Sequence, residues 1–247
     1  GVGVFGVPFV FAKAGFWVGL VFLLFAAGAT MLLNLLYAEV ILRTPTTHQL
    51  VGYTSIYLGR FFRMVILFVG VLTIYGALLA YIIISGEFLH NVLSQFFAIP
   101  PQYYSVGFFA VASALLLFRL RTVAFIEFVM TLFFIVVVLV IFGVGVPQIR
   151  LENLTTFIPE FWFLPYGVLL FAMAGLTSIP IQRQVLNGRE RELKPAIIIA
   201  VSVATVLYLI FAFTVVGVSG EITSPDALEG LLAFLGYKII FLGSLFG

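Results

Sequence analysis

The sequence runs to 247 residues, of which 63% are apolar and only 9% charged, and it carries a formal charge of +2 and no cysteine. Soluble domains hold roughly 25% charged residues, so this composition belongs in lipid. The small net charge and the lack of any basic run exclude a nucleic-acid partner, and the missing cysteines exclude disulfides, thiolate metal sites and cysteine nucleophiles.

The chain opens with GVGVFGVPFVFAKAGF, in which Gly1, Gly3 and Gly6 are followed by Pro8. Each glycine inside a helix costs about 1 kcal/mol against alanine, and proline donates no backbone bond, so an ordinary span gains nothing from this cluster. A span needs about 20 apolar residues. Segment one, residues 1–14, would be about 21 Å long at about 1.5 Å per residue, and is predicted to be the outer half of a broken helix.

Segment two is predicted over residues 16–42. A polar stretch over 44–62 follows, with Leu50, Tyr53, Tyr57 and Leu58 at near-helical spacing, which fits a short helix lying in the interface. Segment three covers 63–86, and a loop over 87–101 closes on Pro100 and Pro101. Segments four (102–118) and five (122–146) are separated by the basic turn Arg119-Leu120-Arg121. Segment six covers 161–182, segment seven 195–218, and segment eight starts near Leu231. Both ends of the sequence read as cut from a longer chain, with segments one and eight incomplete.

Lys and Arg gather in cytoplasmic loops. If segment two descends to the cytoplasm, the inner side holds Arg43, Arg60, Arg63, Arg119, Arg121, Arg183, Arg189, Arg191 and Lys194, and the outer side Lys13, Arg150 and Lys238. An extra or missing span would spoil this alternation. Trp17 and Trp162 then both fall at outer ends, where amphipathic rings prefer to sit.

A second interruption lies in segment six, where FAMAGLTSIP places Ala172, Ala174, Gly175, Thr177 and Ser178 mid-span before Pro180. Interruptions in segments one and six are five segments apart, as two five-helix repeats require, and broken helices at matching places of inverted repeats point to a transporter site. Unwound backbone is tolerated at membrane depth only when buried in protein or lining a cavity. Half-helix N-termini face anions and free carbonyls face cations, so a zwitterion satisfies both. The alternative is that these small residues only permit close helix packing.

The runs GVGVFGVPFVFAKAGF, YAEVILRT and LLFAMAGLTSIP, with NGRERELKPAI after them, resemble amino-acid permeases of the amino acid/polyamine/organocation superfamily. The likeness is closest to the branch of aromatic and hydroxy amino-acid permeases and amino acid/auxin permeases. It implies an all-α polytopic membrane protein with a LeuT-type five-plus-five inverted repeat and discontinuous first and sixth helices. Residues 1–146 would be the first repeat and 161–247 the start of the second, within one transporter domain. The resemblance puts the substrate carboxylate on the amides of Gly1, Val2 and Gly3, and the ammonium on the carbonyls of Ala174, Gly175, Leu176 and Thr177. It also implies coupling to protons or sodium, no other cofactor, and the plasma membrane of a prokaryote.

Segment three offers Tyr75 at mid-depth and Tyr81 about one and a half turns further out, either facing substrate or packing with their hydroxyls bonded to a neighbouring helix. Glu127 is the one acid well inside a predicted span. Such acids mark ion or proton paths, yet Glu127 lies only about 9 Å in from Arg121, so snorkelling is its rival reading. Glu39 and Arg43 form a favourable i,i+4 pair, Asn34 is placed to bond across helices, and His48 and His90 lie on opposite sides. Asn153-Leu154-Thr155 matches a glycosylation sequon, a pattern common by chance. An enzyme is disfavoured by the lack of HExxH, GxSxG or paired intramembrane carboxylates; the alternative is a non-transporting membrane scaffold or a channel, the channel being disfavoured by the lack of a polar ring. The leading reading is an amino-acid permease working by alternating access.

Overall fold

The computed structural model describes residues 3–94, 97, 99–115, 117, 120–186, 188–231 and 234. Within them the chain forms α1 (Gly3–Ala14), α2 (Phe16–Arg43), α3 (Leu50–Leu93), α4 (Pro101–Leu115), α5 (Leu120–Gly145), α6 (Leu164–Ala172), α7 (Ile179–Val185) and α8 (Leu193–Ser219), joined by short 3-10 turns. No strand occurs among the described residues. Among the described residues five stretches are long and apolar enough to cross a membrane: Phe16–Arg43, Leu50–Leu93, Phe125–Gln148, Leu164–Val185 and Glu190–Ile222. α1, with 12 residues, and α4, with 15, are shorter. The predicted eighth segment lies almost wholly outside the described residues.

Segments two, five and seven agree with their predicted bounds to within a few residues, but α3 differs. Gly59, at φ 82° and ψ −176°, breaks the helical path, so a short helix from Leu50 and the span after it are two pieces, parted a few residues before the expected boundary at 62/63. The span then continues to Leu93, although residues 87–93 read as loop. Glu87, His90 and Asn91 are polar, but Phe88 and Val92 are buried four residues apart, and that one-sided burial continues the helix.

Four threonine hydroxyls inside the spans are satisfied locally. Thr73, Thr131, Thr205 and Thr214 each donate to the carbonyl four residues earlier, at 2.7–2.8 Å. Back-bonding of this kind removes an unmet donor without a partner helix, which is how a span tolerates threonine in lipid.

The chain divides into two compact units. The first comprises Gly1–Phe22, Leu79–Ala172 and Leu207–Gly247, and the second Leu23–Leu78 and Met173–Val206. In the first, α1 is the core element: Val4, Phe5, Val7, Val10, Phe11, Ala12 and Ala14 are all buried. Phe5 meets Phe88 of α3 and Phe211 of α8, with ring centroids 4.9 and 6.0 Å apart. The loop after α5 is tied to the end of α8, because Arg150 N and Asn153 Nδ2 both donate to Gly217 O, at 2.9 and 2.8 Å. The Asn153 amide, which a glycan would need, is thus engaged within the fold.

In the second unit, polar bonds join α2, α7 and the start of α8. Arg183 Nη1 donates to the carbonyls of Ile41 (2.6 Å) and Thr44 (3.2 Å), where the last turn of α2 has no helical donors of its own. Glu39 of α2 pairs with Arg43 at 2.5 Å and with Lys194 of α8. The Thr44 and Tyr57 hydroxyls are bonded at 2.9 Å, and Tyr53 meets Tyr37 edge to face, so the interface helix is held to the same end of α2.

Candidate functional site

Segment six is discontinuous in the structure. α6 ends at Ala172, Met173–Gly175 have no helical structure, Leu176–Ser178 form one 3-10 turn, and α7 resumes at Ile179 with Pro180 in its first turn. Proline suits that position because the first turn has no partner for its N–H, while the same residue prevents α6 from running through without a break. Gly175 sits at φ −150° and ψ 3°. Its carbonyl accepts from the Ser178 hydroxyl at 2.7 Å and from the Ser178 amide at 3.1 Å.

The start of α1 meets the end of α6. A Cβ added at Gly3 would lie 3.0 Å from Ala172 Cα and 3.2 Å from Ala172 Cβ, and one at Gly6 would lie 3.3 Å from a methyl of Val168. Advancing three residues along α1 while retreating four along α6 makes the pair antiparallel, with a period near one turn. A side chain at position 3 would force the α6 backbone to give by a few tenths of an ångström, so the glycine read as costly in an ordinary span serves the close approach of α1 to α6.

Of the residues singled out from the sequence, Gly3 therefore stands against the last residue before the break. Gly1 and Val2 lie outside the described residues. Ala174, Gly175, Leu176 and Thr177 form the break itself, with Ala174 and Thr177 exposed and Gly175 and Leu176 half-buried. A Cβ at Gly175 would find nothing nearer than 3.9 Å, Asn34 Nδ2 being one neighbour at that distance, so glycine is not required there for space. Among the described residues no hydrogen bond reaches the carbonyls of Met173 or Ala174.

Tyr75 is 70% exposed on α3, and Tyr81, also on α3, is 36% exposed. Tyr81 lies near enough to Tyr208 of α8 to interact with it electrostatically. Glu127 is exposed, and its backbone carbonyl accepts from Thr131 Oγ1. No ion pair reaches Glu127 among the described residues.

Sequence reasoning missed Tyr208. It is 9% exposed, and its hydroxyl donates to Ala172 O at 2.9 Å, supplying the last α6 carbonyl with the donor that the interrupted helix withholds. One of ten tyrosines in a chain rich in aromatics carries no local signal of such a role. Gln182 of α7 was also overlooked. Its Nε2 donates to Ser178 Oγ at 3.3 Å, and its buried Oε1 has no partner among the described residues.

A separate cavity of about 310 Å³ lies at the C-terminal end of α3, lined by Ile84, Glu87, Phe88, His90, Pro101 and Asp226 among others. None of the break residues lines it.

No curated relative and no solved structure matches the sequence. Residues 1–228, which include α1 through α8 and the interrupted segment six, match the tryptophan/tyrosine permease family. Five apolar spans among the described residues, one of them the broken segment six, fit an integral membrane permease, and by that match the chain belongs to the tryptophan/tyrosine permease family.

Proposed function

We propose that the protein carries an amino acid across the plasma membrane as a secondary transporter, by alternating access within a LeuT-type five-plus-five inverted repeat. The observation that carries this reading is the unwound Met173–Gly175 in mid-span, with the Gly3 backbone pressed on Ala172 at its edge. Unwound backbone inside a membrane protein leaves carbonyls for a cation, and the start of a half-helix leaves amides for an anion. The carbonyls of Ala174, Gly175, Leu176 and Thr177 receive the ammonium, and the amides of Gly1, Val2 and Gly3 the carboxylate. The family points to a large aromatic side chain, with Tyr81 a candidate cover and Tyr75 a further candidate contact. In this reading residues 1–146 form one repeat and 161–247 begin its inverted partner in a prokaryotic cell membrane. Coupling is to protons or sodium, with Glu127 the candidate coupling group.

The test is uptake of labelled tryptophan and tyrosine by the full-length protein in liposomes, with and without a pH or sodium gradient. Saturable uptake driven by one gradient is expected. Gly175→Leu should abolish it while the protein still folds, because a Cβ at that position meets nothing nearer than 3.9 Å; Gly175→Ala, the smaller change, should weaken uptake less. Normal transport by this variant would remove the break from the site, and linear ion flux would mean a channel. Glu127→Gln should uncouple uptake from the gradient; unchanged gradient dependence would take Glu127 out of the mechanism.

A further inference from the structure

Ala172 is held from two sides. The Gly3 backbone lies against its Cα, and the Tyr208 hydroxyl is bonded to its carbonyl at 2.9 Å. The Tyr208 ring is fixed in turn, because Phe211, Ala212 and Val215 follow it on the buried face of α8 at one-turn and two-turn spacings. A phenylalanine would pack there as well, and the sequence uses phenylalanine 29 times against 10 tyrosines. What tyrosine adds is one donor, and the structure shows where that donor goes. An unmet carbonyl in an apolar interior must find a donor or rotate toward one, so the bond decides how the α6 backbone ends. The next two residues, Met173 and Ala174, are those whose carbonyls receive no hydrogen bond among the described residues.

We infer that Tyr208 is a positioning residue for recognition of the substrate's amino group: by holding the Ala172 carbonyl it fixes the direction in which the free carbonyls of Met173 and Ala174 leave the helix. The inference rests on the reading that the unwound carbonyls receive the ammonium. It goes further in giving a residue on α8, which need not touch substrate, control over one functional group of the substrate and not the others. A ligand that has the side chain and carboxylate but no amine makes no use of these carbonyls, and its affinity is independent of Tyr208.

Tyr208→Phe in the full-length protein tests this. Affinity is measured by direct binding for L-tryptophan and for indole-3-propionate, the same molecule without its amine. The variant should bind tryptophan about tenfold more weakly, the loss of one well-placed hydrogen bond to a charged group, and indole-3-propionate within about twofold of the parent protein. A parallel loss for both ligands means general loosening of the fold and overturns the inference, as does no loss for either. A second measurement needs no substrate. With Ala174→Cys as the only thiol, the rate of alkylation by a water-soluble maleimide should change at least threefold when Tyr208→Phe is added, and an unchanged rate overturns the positioning role. If the parent protein binds neither ligand while the alkylation rate does respond, the amino-acid reading fails and Tyr208 still sets the geometry of the break.

Discussion

The two compact units are held by different means. In the first, backbone and rings are in direct contact: Gly3 against Ala172, Phe5 between Phe88 and Phe211, and Gly15 against Thr156. In the second, the described ties among α2, α7 and α8 are a guanidinium on two carbonyls and an acid between two cations. Close apolar packing tolerates almost no change of shape, because an added atom has nowhere to go. Charged and polar ties act over longer reach and can be exchanged for water at the membrane surface. The first unit should therefore fail by substitution of size, and the second by substitution of its charged side chains.

The largest effect is expected at Gly15. Its φ of +98° is unfavourable for any side chain, and a Cβ would lie 2.6 Å from the Thr156 carbonyl oxygen. Gly15→Val combines backbone strain with a backbone clash and should cost more than about 3 kcal/mol, leaving little monodisperse protein after detergent extraction. A well-folded Gly15→Val protein would break the account of the first unit. Arg183→Leu comes next. It strips the Ile41 and Thr44 carbonyls of their donor and should lower stability by about 2 kcal/mol, read as a fall in the thermal unfolding midpoint. Because the acceptors are neutral, that loss should change little between low and high salt.

Glu39→Gln should have the smallest effect. Its partners Arg43 and Lys194 are 76% and 45% exposed, and exposed ion pairs contribute little. The shift in unfolding midpoint should be less than that of Arg183→Leu and vanish near 1 M salt, where the screening length falls to about 3 Å. A larger, salt-resistant loss in Glu39→Gln would reverse the order of the two ties and make the acid the principal one.

What was legible in the sequence was what leaves a local mark. The break in segment six was visible because FAMAGLTSIP puts small residues and a proline where a span should be continuous, and the structure unwinds at Met173–Gly175. The short helix starting at Leu50 showed in its near-helical spacing of Leu50, Tyr53, Tyr57 and Leu58. The outer end of α3 was misread because Glu87, His90 and Asn91 outweigh two buried apolar residues in any average over the stretch. Arg183 was visible only as one positive charge on the inner side. Its tie to Ile41 crosses 142 positions, and no pattern within either stretch announces it. Tyr208 was hidden for the same reason, since the carbonyl it serves is 36 residues away.

The Gly15 turn has a mechanical consequence. α1 ends at Ala14 and α2 begins at Phe16, so one residue with two torsions is the whole joint between them. The joint is also hemmed in, with Thr156 O 2.6 Å from where a Cβ on Gly15 would stand and the rings of Phe11 and Phe16 in contact across it at 5.6 Å. A joint with no slack transmits rotation instead of absorbing it. Any tilt of α1 that opens or closes its glycine-rich start must be carried into the first turns of α2, which makes α1 an arm of its neighbour and not a free flap.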